Sequence, residues 1–495
     1  MANDILRLGK ETLIYGTSTV LARLLNFCLV PFYTYYLATA EYGVVATIFA
    51  LIALLNVIFL FGMDQSYLRF ASEMKNKNEV FKHCFYGLII YGTVLGVLLS
   101  TCTKPLAAAV GIGSSHAYLL QLSVFILLLD MLNMIPFTKL RLQRRAWYFA
   151  GVRTLSIIIN VCCNILFIAV LKWGIESIFW ANIFASLTSL LCLSPVVWQE
   201  LKTGLPRFNP ALEKRMILFA WPFVPSGLAS LLVSVIDKPI LVHLVGLADV
   251  GVYQANFKIG VFMMLIVSMF DQAWRPFFLA HAKQPDAKTL YARVLTFFTA
   301  FALWVLLGLI FLMPDIIQSH LFGSFHLIAP QYWGGLSVIP PVLLGYFFYG
   351  LYINFMVGPV ITKKTRVLVW ITLLGALTSI SANLLLVPLL GIVGAGWAVT
   401  CSYLVMAGAL FRFTQKNYTI PYQYAKLALL GILGLLLAGL AHLGGALWVR
   451  ILLLCLYPVL AGQIIKEKPW REVILVGVYS IISKPFIKDI KEGIK

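Results

Sequence analysis

Charged residues are scarce in this chain of 495 residues, where only 12% are Asp, Glu, Lys or Arg, against about 25% in an average soluble protein. Apolar residues make up 61% and are spread along the whole sequence. This composition excludes a soluble globular enzyme, a disordered chain and a small disulfide-stabilised secreted module. Most of the chain is therefore expected to lie in lipid.

Acidic residues are half as numerous as basic residues, 19 against 38, which gives a formal net charge of +19. In a soluble protein such an excess would indicate nucleic-acid binding. Here the basic residues form short clusters between apolar runs, a pattern typical of cytoplasmic loops that face anionic lipid. Membrane lipids are therefore expected partners, and nucleic acid is not.

Motifs for catalysis and cofactor binding are also missing. The sequence has no GxxxxGK[ST] phosphate loop, no GxSxG nucleophile elbow and no HExxH metal motif. None of the eight cysteines stands at zinc-ligand spacing. We expect a protein that is not an enzyme and that holds no metal or cofactor. A cleavable signal peptide is not expected either, because the first apolar run is too long for one and contains Arg23.

Apolar runs long enough to cross a bilayer recur along the chain. A spanning helix needs about 20 mainly apolar residues, and we count fourteen such runs. Pro388 and Gly391 divide the longest uncharged stretch into two of them. The predicted fold class is an all-α integral membrane protein. Its predicted spans are 12–38, 42–63, 84–103, 117–138, 148–171, 175–197, 216–237, 249–273, 292–313, 332–357, 367–388, 391–412, 424–442 and 444–465.

The loops predict the orientation of these spans. With the N-terminus inside, 32 of the 38 basic residues fall in inner segments and four in outer loops. Because basic residues favour the cytoplasmic side, this distribution predicts that both termini are cytoplasmic. The residues after Lys466 are expected to form an amphipathic segment on the inner leaflet.

The sequence also shows an internal repeat. The matched positions are Gly43 with Gly251, Asp64-Gln65 with Asp271-Gln272, and Trp180-Ala181 with Trp397-Ala398. Spans 1–6 and 7–12 are therefore predicted to be two parallel copies of a six-helix unit, with a cleft between them. The predicted organisation is an N-terminal lobe (1–200), a linker (201–215), a C-terminal lobe (216–415), two extra helices (416–465) and a cytoplasmic tail (466–495).

Charged residues inside apolar spans need a partner or a function, because each costs about 2.5–3.5 kcal/mol even on the lenient insertion scale. Arg23, Asp130 and Lys258 lie within spans 1, 4 and 8. Neither Arg23 nor Lys258 has an acid one turn away on its own helix. We therefore expect both cations to face a water-filled cleft and to bind an anionic ligand.

Three further charged pairs lie near the ends of spans: Asp64 with Arg69, Asp271 with Arg275, and Asp237 with Lys238. We take all three pairs as candidates for substrate binding. The alternative is a local salt bridge that anchors a helix end at the lipid headgroups. Asp130 and Asp237 are also candidates for coupling transport to an ion.

Five segments carry a family resemblance. They are GMDQSYLRF at span 2, LRLQRR after span 4, WPFVPSGLASLLVSVIDKPIL through span 7, DVGVYQANFKIG entering span 8 and GIVGAGWAVT at span 12. Together they resemble the polysaccharide-transporter (O-antigen flippase) family of the multidrug/oligosaccharidyl-lipid/polysaccharide (MOP) exporter superfamily. The Asp237-Lys238 pair followed by G-x-Y at Gly251 is the most specific element.

The resemblance implies two six-helix lobes in a V that face alternately inward and outward. It implies an undecaprenyl-diphosphate-linked oligosaccharide as substrate, moved across a bacterial inner membrane, and glycosyltransferases or a polymerase as pathway partners. It also implies that Arg23 and Lys258 lie on cavity helices and dock the diphosphate, and that the two extra helices form a groove for the lipid tail. Membrane potential or H⁺ or Na⁺ counter-movement would drive transport.

Two alternatives remain at this point. A multidrug/cation antiporter of the same superfamily would place acids rather than bases in the cleft. An integral-membrane enzyme of glycan assembly would need an acid/base pair or a nucleotide site at one membrane face.

Overall fold

The structure is a computed structural model that describes residues 23–74, 76–202, 204, 209–320 and 325–466. The start of the first predicted span and the predicted amphipathic tail after Lys466 lie outside these residues. Within them the chain is almost entirely helical. The helices are α1 (23–36), α2 (Thr39–Leu60), α3 (Met63–Glu73), α4 (Lys77–Thr101), α5 (Thr103–Val110), α6 (Ala117–Leu142), α7 (Ala146–Ile165), α8 (Glu176–Leu201), α9 (Pro210–Ala220), α10 (Phe223–Val235), α11 (Asp237–Val245), α12 (Leu247–Phe257), α13 (Val261–His281), α14 (Ala287–Gln318), α15 (Ile339–Phe355), α16 (Val357–Ile361), α17 (Arg366–Leu390), α18 (Ile392–Asn417), α19 (Tyr424–Gly444) and α20 (Leu447–Ile465).

Thirteen stretches of helix in the described part of the chain are long and apolar enough to cross a membrane. Each corresponds to one of the predicted spans 2–14, and the first predicted span is described only from Arg23 onward. The all-helical membrane fold class is therefore confirmed. The predicted division of the long uncharged stretch is also confirmed, because α17 ends at Gly391, whose φ of 58° favours glycine.

Local sequence signals set several helix starts. The Asn209 side chain accepts a hydrogen bond from the backbone N–H of Leu212 at 3.1 Å, and Pro210 occupies the first turn of α9. Span 7 is interrupted at Trp221-Pro222, where α9 gives way to α10. As a result its two parts pack on different neighbours: α9 on α3, and α10 on α17.

The remaining helices pack mainly within their own half of the sequence. In the first half α4 and α8 contact α6, and α7 contacts α8. In the second half α15 and α17 contact α18, and α13 contacts α15. The two last helices, α19 and α20, pack on α14. This arrangement is consistent with the predicted lobes, whose boundaries remain a prediction.

The two halves meet tightly at one end of the molecule, which we call the closed end. It comprises residues 34–43, 238–251 and 325–335. Here α2 packs along α12, and the Tyr332 hydroxyl donates to the Leu37 carbonyl oxygen at 3.0 Å. The opposite end, which we call the basic end, carries Arg69, Lys139, Lys214, Arg275 and Lys364. The closed end is the predicted outer side.

Candidate functional site

Lys258 lies on a cavity of about 360 Å³ between the two halves of the chain. It occupies a short 3₁₀ turn that joins α12 to α13. Its Nζ is 5.9 Å from the ring centre of Tyr33 and 5.9 Å from that of Tyr42. No carboxylate of the described residues lies within ion-pair distance of it. A cation without an anionic partner at this depth is costly, and an anionic ligand for Lys258 remains a prediction.

Arg23 lies at a different depth. Its guanidinium donates to the Ser268 hydroxyl of α13 at 3.0 Å, and this contact joins the first helix to span 8. Ser268 follows Lys258 by ten residues, which places these two residues about 15 Å apart along the axis of span 8. Arg23 does not line the Lys258 cavity. Arg23 and Lys258 thus have different neighbours, and their joint docking of one diphosphate remains a prediction.

A second group of polar residues surrounds the Tyr349 ring. Arg23, Asp271 and Arg275 are all close enough to Tyr349 for electrostatic interaction with its hydroxyl. The Arg275 Nε donates to Asp271 Oδ1 at 2.7 Å, in the i,i+4 pair that the sequence offered as an alternative to substrate binding. About half of the Arg275 side chain remains exposed. The pair thus leaves part of the Arg275 guanidinium exposed, within electrostatic range of the same Tyr349 hydroxyl as Arg23.

The matching pair in the first half does not form. Arg69 pairs with Glu73 at 3.2 Å instead of with Asp64, and its guanidinium lies 4.5 Å from the ring centre of Phe219. The Asp64 carboxylate accepts from the Gln65 side chain at 2.7 Å. The physical reason is helix geometry: residues four apart share a face, whereas residues five apart do not. The Asp64–Arg69 salt bridge, which the sequence offered as the alternative to substrate binding, is therefore not formed, and substrate binding by these residues remains a prediction.

Asp237 and Lys238 form a deeply buried ion pair, with only 2% and 5% of each residue exposed. The Lys238 Nζ lies 2.9 Å and 3.1 Å from the two Asp237 carboxylate oxygens. The Tyr253 hydroxyl donates to Asp237 Oδ2 at 2.6 Å, and the Phe257 ring centre is 4.5 Å from Nζ. The two charges therefore neutralise each other and are also contacted by Tyr253 and Phe257 of α12. This buried arrangement favours a structural role over the salt bridge at the lipid headgroups that the sequence suggested.

Asp130 has a simpler environment in span 4. Its Oδ1 accepts from the Ser186 hydroxyl of α8 at 2.7 Å, and Arg153 lies within electrostatic range. In the part of the chain that the structure describes, Asp130 forms no ion pair with Arg23 or Lys258, so its suggested role of neutralising one of them has no contact to support it. Among the described residues, no cluster of His, Cys, Asp and Glu is arranged to hold a metal ion.

Our sequence reasoning missed the uncharged polar wall of the Lys258 cavity. This wall contains Asn26, Asn160, Asn182 and Gln254. The sequence could have indicated this wall, because side-chain amides that recur inside apolar spans are themselves costly to bury. The charged residues alone did not indicate it.

Comparison with solved structures shows the fold. The lipid II flippase MurJ in an inward closed conformation matches with a TM-score of 0.73 and 16% identity, over 93% of this chain and 100% of that one. An inward-facing multidrug resistance MATE family transporter matches with a TM-score of 0.63 and 14% identity, over 80% and 94%. An outward-facing MATE family transporter matches with a TM-score of 0.56 and 16% identity, over 83% and 94%. A comparison with curated protein sequences found no match.

The chain is a multi-pass membrane protein whose fold is similar to those of the MurJ and MATE structures. A family model described as polysaccharide biosynthesis protein matches residues 8–280, more than half of the chain. The chain belongs to this polysaccharide biosynthesis protein family, and the resemblance described above is confirmed.

Proposed function

We propose that the protein is a flippase that moves undecaprenyl-diphosphate-linked oligosaccharide from the cytoplasmic to the outer leaflet of a bacterial inner membrane. The observation that carries this proposal is Arg23, an intramembrane cation at the contact between the two halves of a polysaccharide-biosynthesis chain with a MOP transporter fold. Such a chain handles a lipid-linked glycan, and the diphosphate of that lipid is the anion that an unpaired arginine suits best.

Arg23 and the exposed part of Arg275 form the proposed diphosphate site. Both lie near Tyr349, on the side of Lys258 that faces the basic end. A guanidinium offers forked donors that match phosphate oxygens, and Asp271 holds Arg275 in place at 2.7 Å. The diphosphate enters from the basic end, which the loop charges assign to the cytoplasm. With this orientation the closed end faces outward.

Transport follows by alternating access between the two halves. The closed end opens while the basic end closes, and the lipid tail stays in the bilayer beside α14, α19 and α20. With the inside negative, moving two negative charges outward is favourable by about 4.6 kcal/mol per 100 mV. If an ion gradient contributes, Asp130 is the better coupling residue, because Asp237 is already neutralised by Lys238.

A strain that depends on this chain for polysaccharide export tests the proposal. Loss of the chain is expected to leave the undecaprenyl-diphosphate oligosaccharide in the cytoplasmic leaflet, measured by its protection from a periplasmically added glycosidase. Arg23→Gln should reproduce that loss, and Arg23→Lys should restore part of the export. Arg412→Gln, at an exposed position near the end of α18, is the matched control. Normal outer-leaflet exposure in Arg23→Gln would overturn the assignment of this residue.

A further inference from the structure

The cavity beside Lys258 is separate from the proposed diphosphate site. It lies between α1, α2, α7 and α8 of the first half and α12 of the second half. Its volume of about 360 Å³ falls within the range of roughly 300–1,000 Å³ that small-molecule sites occupy. Arg23 is not among the residues that line it, although Asn26, one helical turn further along α1, is.

The cavity wall carries hydrogen-bonding groups that have no partner. The Tyr42 hydroxyl is buried without a hydrogen bond, in a residue that is only 2% exposed. The side-chain oxygen of Gln254 is likewise buried and unpartnered. Because buried polar groups in native proteins are nearly always hydrogen-bonded, these two groups are candidates to hydrogen-bond a molecule that enters the cavity.

The side-chain amides of Asn160 and Asn182, which also line the cavity, have hydrogen-bonding groups available for a ligand as well. The Asn182 side-chain nitrogen donates to the Ile178 carbonyl at 2.8 Å, which leaves its oxygen as an acceptor. Asn160 accepts at 3.1 Å from the side-chain nitrogen of Asn164, which leaves its own nitrogen as a donor. The cavity lining therefore includes both donor and acceptor groups, which a ring with several hydroxyl groups can use.

Aromatic and charged groups complete the wall. Tyr33, Tyr42 and Phe49 present rings to the cavity, and apolar ring faces pack against the C–H face of a pyranose. Lys258 contributes one compact positive charge, without the arginine fork that phosphate favours. The combination of amides, rings and one ammonium group matches a sugar that bears a single carboxylate.

We propose that this cavity binds an acidic sugar residue of the transported repeat unit, with the carboxylate on Lys258 and the ring hydroxyls on Tyr42, Gln254, Asn160 and Asn182. The assignment rests on the proposed function, because it names part of the substrate of the same transporter. In this proposal the two cations have different roles: Arg23 binds the diphosphate, and Lys258 binds the sugar.

Binding of soluble glycosides to the full chain in lipid nanodiscs tests this proposal. The probes are methyl β-D-glucuronide and methyl β-D-glucoside, and the readout is the concentration at which each raises the thermal unfolding temperature. The wild type should bind the glucuronide at least tenfold more tightly than the glucoside. Lys258→Gln should abolish this preference and still bind the glucoside, whereas Lys258→Arg should keep it. Tyr42→Phe should weaken both probes, and Arg412→Gln should change neither.

Three results would overturn the proposal: equal binding of the two glycosides by the wild type, an unchanged glucuronide preference in Lys258→Gln, or no response to either glycoside. Inorganic phosphate that displaces the glucuronide at lower concentration than glucuronate itself would reassign Lys258 to phosphate. Translocation of a lipid-linked oligosaccharide is measured separately. A chain that prefers the glucuronide yet moves no lipid-linked substrate would contradict the proposed function and leave the sugar site standing.

Discussion

Gly43 of α2 and Gly251 of α12 lie against each other at the closed end in a reciprocal contact. A Cβ atom on Gly43 would lie 1.8 Å from the Leu247 carbonyl oxygen, and a Cβ atom on Gly251 would lie 1.9 Å from the Thr39 carbonyl oxygen. Both pairs of matching residues are separated by 208 positions, the offset found in the sequence repeat. The contact has the symmetry expected if an axis relating the two copies passes between the glycines.

Gly43→Ala is therefore expected to destabilise the closed end. The new methyl group would meet backbone atoms, so no side-chain rotation relieves the clash and α2 must separate from α12. We expect faster hydrogen–deuterium exchange in peptides covering residues 39–47 and 247–255. A tenfold loss of the closed population corresponds to about 1.4 kcal/mol.

Gly151→Ala is the control for this experiment, because a Cβ atom at Gly151 meets nothing within 4 Å. Equal exchange in the Gly43 and Gly151 variants would show that the glycine contact does not hold the closed end together.

The buried Asp237–Lys238 pair is expected to be structural. Asp237→Ala leaves the Lys238 charge buried without a partner, which costs about 3–5 kcal/mol of stability. The double substitution Asp237→Leu with Lys238→Met removes both charges and should recover most of that loss. The measurement is thermal unfolding in detergent, accompanied by translocation activity.

A double variant that folds well but no longer translocates would contradict this structural role. That result would instead support a role for Asp237 in ion coupling, which the sequence also allowed.

Asp130→Asn separates the two sources of driving force. Asparagine keeps an oxygen that accepts from Ser186 but removes the charge. In proteoliposomes we expect translocation driven by an imposed membrane potential to stay within about twofold, since the substrate itself carries the charge. Any stimulation by a proton or sodium gradient should disappear. Loss of the potential-driven activity would contradict a drive by substrate charge alone.

Arg69→Gln is expected to have little effect. The Arg69–Glu73 pair is half exposed on both sides, and exposed pairs contribute at most about 1 kcal/mol. Its contact with the Phe219 ring adds a similarly small amount. Thermal unfolding and translocation should both stay close to wild type. A large loss of transport with unchanged stability would contradict this expectation and would support a role for Arg69 in substrate binding.

The sequence predicted the helical spans well, because a bilayer demands a run of apolar residues wherever a helix crosses it. Breaks between helices were harder to predict from the sequence. The break at Gly391 could be predicted from the sequence. The break between α9 and α10 could not, because the two helices pack on different neighbours and the sequence alone does not give those contacts.

The site was predicted in part. Arg23 and Lys258 were found because mid-span charges are costly. The contact of Arg23 with Ser268 was not predicted, because it depends on how α1 packs against α13, which the sequence alone does not give. The Asp64–Arg69 pair failed for a local reason: Glu73 lies four residues after Arg69 on the same face of α3.

The most direct test is translocation of a fluorescent undecaprenyl-diphosphate oligosaccharide by the purified chain in proteoliposomes with an imposed, inside-negative potential. We predict that the wild type moves the lipid, that Arg23→Lys retains partial activity, and that Arg23→Gln falls to the rate of protein-free vesicles. Wild-type activity in a folded Arg23→Gln variant, or a wild-type rate no higher than that of empty vesicles, would contradict the account.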